Sequence, residues 1–260
     1  MGLLPQQKTP PQVDLYDQTI LVYGPAKAGK STFCAEANNA LFLATEAGLN
    51  HLNVYQIPIR TWDDFLAAAA EIAAGSHSFK TIVVDTIDIA YKLCSEYVCK
   101  QQGIKHESDL GYGKGYSLVN GEFYRVMNKL SMLPYGLFLI SHSQERELDS
   151  RVGKYTKQMP SLSEKGRKIV IGMCDLILYF DIEETTTPEG VITQNRVIRT
   201  KPAKHFEAGD RTGRLPDDIE MDFHKFQEAY RIATQVAADE NAHSNSPSNR
   251  PKDNQTENRK

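Results

Sequence analysis

Gly24-Pro25-Ala26-Lys27-Ala28-Gly29-Lys30-Ser31 is the stretch whose reading decides the fold. It fits the spacing G-x-x-x-x-G-K-[ST]. The apolar run Ile20-Leu21-Val22-Tyr23 stands directly before it, and Thr32-Phe33-Cys34-Ala35-Glu36-Ala37 can open a helix directly after it. A glycine-rich turn between a strand and a helix points its backbone N–H groups inward at phosphate oxygens, and the helix N-terminus adds its dipole. Gly24, Pro25, Ala26, Lys27, Ala28, Gly29, Lys30, Ser31 and Thr32 are therefore the expected ATP-binding loop. In such a loop Lys30 reaches the β- and γ-phosphates, and the Ser31 hydroxyl ligates Mg²⁺.

Outward from the loop, short apolar runs recur at residues 19–23, 41–44, 81–84, 137–141, 176–180 and 196–200. They are mostly continuous, as in strands buried on both faces. Helical patterns lie between them. Thr61-Trp62-Asp63-Asp64 has the form of a capping box ahead of Phe65, Leu66, Ala69, Ile72 and Ala73. Val119, Phe123, Val126, Met127, Leu130 and Leu133 recur at helical spacing. This alternation predicts an α/β fold, a P-loop domain with a mostly parallel central sheet flanked by helices. The domain is expected over 18–236. Residues 1–17, with Pro5, Pro10 and Pro11, read as a flexible arm. Residues 237–260 hold no large apolar side chain and read as a disordered polar tail.

Two further carboxylates belong to the expected site. Lys80-Thr81-Ile82-Val83-Val84-Asp85 is an apolar strand ending in an acid, the Walker B pattern, in which Asp85 holds the Mg²⁺ shell. Position 86 is Thr, where many ATPases carry the water-activating Glu. That base must come from elsewhere. Glu46, at the carboxyl end of the run Leu41-Phe42-Leu43-Ala44-Thr45, is the candidate, since open α/β sheets bind ligands along that edge. Asp88 is the reserve candidate.

These segments resemble the RecA recombinase core. Residues 24–32, Thr45-Glu46-Ala47-Gly48-Leu49, residues 82–86 and Leu137-Phe138-Leu139-Ile140-Ser141-His142 come in that family's order and rough spacing. The resemblance implies a RecA-like ATPase fold over about residues 18–232, with Glu46 activating the attacking water. It places His142 at the position of a γ-phosphate sensor, commonly Gln in the family, and puts a DNA-binding loop after it. The chain is similar in particular to the short RecA-like, AAA-type ATPases of phages and prophages, through Asp109-Leu110-Gly111-Tyr112-Gly113-Lys114-Gly115 and Glu207-Ala208-Gly209-Asp210-Arg211-Thr212-Gly213-Arg214. Some of these act as single-strand annealing recombinases beside a single-strand-binding protein. Single-stranded DNA, and such a protein, are thus the expected partners. In the RecA-like class, cations of an adjacent subunit reach the γ-phosphate, which makes Lys201, Lys204 and Arg211 trans-acting candidates and implies a homo-oligomer.

Composition limits what else is open. Of 260 residues 40% are apolar and 24% charged, which excludes a wholly disordered, collagen-like or coiled-coil chain. No run approaches the roughly 18 apolar residues of a bilayer span, so no membrane partner is expected. The first residues lack the pattern of a secretory signal. Cys34, Cys94, Cys99 and Cys174 have neither paired nor zinc-type spacing and read as buried thiols in a reducing cytoplasm. The histidines have no metal-ligand spacing, and Trp62 reads as packing.

The formal net charge of −3 requires any nucleic acid to be met by a local patch. Residues 144–168 supply one: Arg146, Arg151, Lys154, Lys157, Lys165, Arg167 and Lys168 against Glu145, Glu147, Asp149 and Glu164. With Tyr155 among them, a mobile loop here suits backbone contact plus base stacking on a single strand. Arg146, Arg151, Lys154, Tyr155 and Lys157 are the candidates, joined by Lys114 from a second expected loop at 103–116. The function expected is a DNA-stimulated ATPase that anneals or pairs strands. A nucleotide-gated DNA-binding module with little hydrolysis, or a small-molecule kinase using 144–168 as a lid, are the alternatives.

Overall fold

The run before the glycine-rich loop is strand β1 (Thr19–Gly24), with all six residues buried. A computed structural model describes residues 4, 13–151, 153–186, 190 and 192–244. After β1 come α1 (Lys30–Ala35), β2 (Ala40–Ala44), β3 (Tyr55–Pro58), α2 (Trp62–Ala74), β4 (Thr81–Asp85), α3 (Ile87–Gln101) and α4 (Lys114–Ser131). The second half holds β5 (Gly136–Ser150), β6 (Gly153–Pro160), α5 (Glu164–Met173), β7 (Leu176–Thr186), β8 (Ile192–Arg199), β9 (Gly209–Asp210), β10 (Asp218–Glu220) and α6 (Phe223–Ser244). The sheet order is β10-β8-β7-β1-β5-β4-β2-β3. From β7 to β3 every neighbouring pair is parallel, while β8, β9 and β10 join antiparallel at the far side. The mixed α/β sheet, mostly parallel and flanked by helices, is the fold expected.

The continuous apolar runs follow from that burial. On one face Ile20, Val22 and Phe42 pack with α1 and α6, where Phe33 contacts the rings of Phe180, Phe223 and Phe226. On the other, Leu21, Leu43 and Val84 pack with α2 to α5. The α2 capping box is formed: Asp64 N–H donates to Thr61 Oγ1 at 3.1 Å, and Thr61 N–H donates to Asp64 Oδ2 at 2.8 Å. Trp62 is buried and stacked on Phe65, and its Nε1 donates to Glu122. All four cysteines are free and buried. Among the described residues no helix is long and apolar enough to cross a membrane.

Four expectations need correction, and one edge strand is new. Residues 144–168 are not a loop. β5 runs on past the sheet and folds back as β6, an antiparallel hairpin with Ser143 opposite Pro160 and Ser150 opposite Gly153, and α5 follows. Charges stand on its exposed face and on its half-buried face alike, so no apolar period marks it as strand. Residues 103–116 contain a 3₁₀ turn at Glu107–Leu110 and the start of α4. Gly115 lets that helix lie against the turn, since a Cβ there would meet Glu107 O at 2.1 Å. At the start, Leu15–Asp17 forms a 3₁₀ turn with Leu15 buried, so the fold begins before residue 18. The remainder of the arm, apart from exposed Leu4 and residues 13 and 14, lies outside the described residues. At the other end α6 continues to Ser244, past the expected boundary at 236, and residues 245–260 lie outside the described residues. Lastly, β3 was not foreseen. It is an edge strand, mostly exposed, and it owes its conformation to pairing with β2.

Candidate nucleotide site

The strand order brings the expected residues to one edge. β5 lies between β1 and β4, with Gly24 opposite His142 and Asp85 opposite Ile140. β2 flanks β4, with Ala44 opposite Asp85, so Glu46 follows at the same edge. The loop 24–31, Glu46, Asp85 and His142 thus converge on one cleft of about 530 Å³.

Each part of the loop has a local cause. A Cβ on Gly24 would stand 2.5 Å from Phe180 O, so only glycine allows β1 and β7 this approach. Gly29 has φ of +102°, a left-handed turn that a side chain would strain. Lys30 is buried, and its Nζ donates to the carbonyls of Gly24 at 3.0 Å and Pro25 at 2.7 Å. That curls the loop around the ammonium. Burial lowers the Lys30 pKa, opposed by Asp85, Asp88 and Glu46. Ser31 Oγ donates to Asp85 Oδ2 at 2.7 Å. Burial raises the Asp85 carboxyl, with the Ser31 bond and Lys30 acting against it. A buried hydroxyl–carboxylate pair beside a buried ammonium, opening on a cleft, fits a divalent cation that would accompany phosphates. Ser31 and Asp85 are the residues that would hold Mg²⁺, and Lys30 the one that would meet the phosphates.

Glu46 and His142 stand across from each other, His142 Nε2 lying 3.4 Å from Glu46 Oε1, each about two-fifths exposed. His142 is fixed from behind by Asp88. The His142 N–H donates to Asp88 Oδ2 at 2.8 Å, and Ser141 Oγ donates to Asp88 Oδ1 at 2.6 Å. Burial pushes Asp88 up to about 6, against those two bonds and the nearby imidazole. Asp88 therefore holds the strand rather than facing a substrate. Behind β4, Thr45 Oγ1 accepts from Thr86 N–H at 2.7 Å and donates to Thr86 O at 2.9 Å. Thr86, where a base is often found, is thus used to lock β2's end to β4's.

The structure adds three residues that the motifs did not mark. His51 lines the cleft beside Gly48. Arg196 of β8 and Met221 stand over Gly29, each 3.8 Å from where its Cβ would lie. Arg196 and Met221 come from sequence-distant segments, and none of the three has a local pattern. The other expected residues lie elsewhere. Arg146, Arg151, Lys154, Tyr155 and Lys157 are on the β5–β6 hairpin or its turn, and Lys114 opens α4. Lys154 is paired with Glu147 at 2.6 Å, and Lys157 with Glu207 at 3.3 Å. Lys204 Nζ sits 5.1 Å from the Tyr155 ring centre. Lys201 is held by Asp210 at 2.7 Å and Arg211 by Asp175 at 3.2 Å. Both lie at the strands' amino ends, since Asp210 is opposite Leu176, and Leu176 opposite Ile20.

With this geometry in hand, residues 17–212 match the family model described as AAA domain. The chain belongs to this AAA-domain family. It is an ATPase-type domain of the nucleotide-binding P-loop class. The chain is also similar to the SPbeta prophage-derived uncharacterized protein YorG of Bacillus subtilis (strain 168), 26% identical over 192 residues. That alignment covers 72% of this chain and 55% of YorG, so the chain spans about half the length of that relative.

Proposed function

We propose that this AAA-domain protein hydrolyses ATP and uses the cycle to bind single-stranded DNA and promote its annealing or pairing, in the cytoplasm of a phage-infected or lysogenic bacterium. One observation carries the reading. Strand β5 delivers His142 to the cleft and continues without a break into the basic hairpin. A contact made at the γ-phosphate is therefore made by the base of the hairpin. The prophage origin of YorG supports the phage context.

The residues divide the work. Lys30 neutralises β/γ-phosphate charge. Mg²⁺, when bound, stabilises charge on the phosphate oxygens. Glu46 accepts a proton from the attacking water at a carboxylate oxygen. His142 offers Nε2 to Glu46 or to a phosphate oxygen; turning to the phosphate releases Glu46 as base and moves the strand end that Asp88 grips. That gives each state its own contact, as coupling requires. A homo-oligomer, with Lys201, Lys204 or Arg211 acting across its interface, and a single-strand-binding protein complete the reading. For Lys201 and Arg211 such a role means leaving the partners Asp210 and Asp175.

The test is the affinity for a fluorescent oligo-dT in a non-hydrolysable ATP analogue and in ADP. The wild type should bind more tightly in the analogue. His142→Ala should keep nucleotide binding and lose the difference. Equal affinity of the wild type in both nucleotides would overturn the coupling, and no binding in either would overturn the DNA reading.

A further inference from the structure

Several of the cations along 144–168 are neutralised within the structure. Lys154 is paired with Glu147, Lys157 with Glu207, and Lys168 with Glu164 at 2.7 Å. Two guanidinium groups of the same segment are left differently. Arg167, on α5, is only 7% exposed, yet its buried Nη1 has no hydrogen-bond partner among the described residues. Buried polar atoms are nearly always bonded, and charged donors most of all. Burial lowers the Arg167 pKa, and the neighbouring Arg146 cation lowers it further, against Glu207 and Glu164. Arg146 itself, half-buried on β5, makes one long bond, from Nη2 to Leu162 O at 3.4 Å. Among the described residues no carboxylate is within ion-pairing distance of either group.

The hairpin register sets Arg146 directly opposite Lys157. Like charges facing each other across a strand pair are destabilising. Three cations from β5, β6 and α5 therefore gather at the hairpin base, with Glu207 bonded to one of them. Tyr155, two residues from Lys157 and so on the same face of β6, lies beside them.

We propose that Arg146 and Arg167 form a binding site for a phosphodiester group of a nucleic-acid strand lying across the base of the β5–β6 hairpin. The proposal rests on the DNA reading above and names the point where the strand is held. Two planar forks without carboxylate partners match the oxygens of a phosphate, and partial burial strengthens a charge-assisted bond made there. The adjacent Tyr155 ring, with Lys204 Nζ over it at 5.1 Å, would have to exchange that cation for a neighbouring base to stack.

Arg167→Gln, Arg167→Lys and Arg146→Gln, each in the full chain, test it by titration with fluorescent oligo-dT across a salt series. Nucleotide affinity on the same preparations reports an intact P-loop. The glutamine variants should bind about tenfold more weakly, the scale of a lost charge-assisted bond. Their log–log salt slope should be shallower by about 0.7, one phosphate on a single strand. Arg167→Lys should keep the wild-type slope. Should Arg167→Gln fail to fold, Arg146→Gln reads the same site. Variants that bind with wild-type affinity and slope would overturn the site while the DNA reading stands. A change in oligomeric state with DNA affinity intact would assign the pair to a partner's carboxylate and overturn it too. A wild type that binds no DNA would overturn both.

Discussion

Lys30 is buried and shared between two loop carbonyls, so its charge is already held where phosphate oxygens would lie. Lys30→Ala should abolish ATP turnover while circular dichroism stays native; normal turnover would remove the loop from the mechanism. Glu46→Gln keeps the size of the side chain and removes the carboxylate proposed as base. It should bind ATP and hydrolyse it at least ~100-fold more slowly, the scale of general-base catalysis. Asp88 makes a different prediction, one of stability. Its folded pKa, about 6, lies above the ordinary aspartate value of 3.8. A carboxyl raised on folding favours the folded state at low pH and loses that contribution as pH rises through about 6. From pH 7 to pH 5 the wild type should therefore gain about 1 kcal/mol relative to Asp88→Asn in urea unfolding. A constant difference between the two proteins would show that Asp88 is not perturbed.

At the scale of the element, α2 depends on its cap. Thr61→Ala should cost about 1 kcal/mol, measured by denaturant midpoint, because Asp64 N–H loses its acceptor. That element was legible in the sequence, since a capping box and an apolar face are local signals. So were β1, β2, β4 and the start of β7, whose apolar runs need nothing from distant residues to be recognised. The β5–β6 hairpin was not legible. Its identity comes from cross-strand pairing such as Lys154 with Glu147, and an alternation of charges leaves no apolar face to read. The edge strand β3 was hidden for the same reason: Tyr55-Gln56-Ile57-Pro58 is mostly exposed and takes its conformation from β2. The candidate site divides likewise. Ser31 and Asp85 could be read from motifs 54 residues apart, and they meet at 2.7 Å. Asp88's grip on Ser141 and His142, and Arg196 over Gly29, depend on the sheet order and had no signal in the chain.

For the whole molecule, the sheet order sets three strand ends side by side: β1 with the phosphate loop, β4 with Asp85, and β5 with His142 and the hairpin beyond it. That layout makes one body of the nucleotide cleft and the basic hairpin. If assembly completes the site, specific ATPase activity should fall on dilution into the nanomolar range; activity per molecule that stays constant would place the whole site within one chain. The central claim is that nucleotide chemistry and DNA contact are joined through β5. Steady-state ATP hydrolysis with and without single-stranded DNA measures it most directly. Turnover should rise with single-stranded DNA in the wild type and not in His142→Ala. Turnover in the wild type that ignores single-stranded DNA would contradict it.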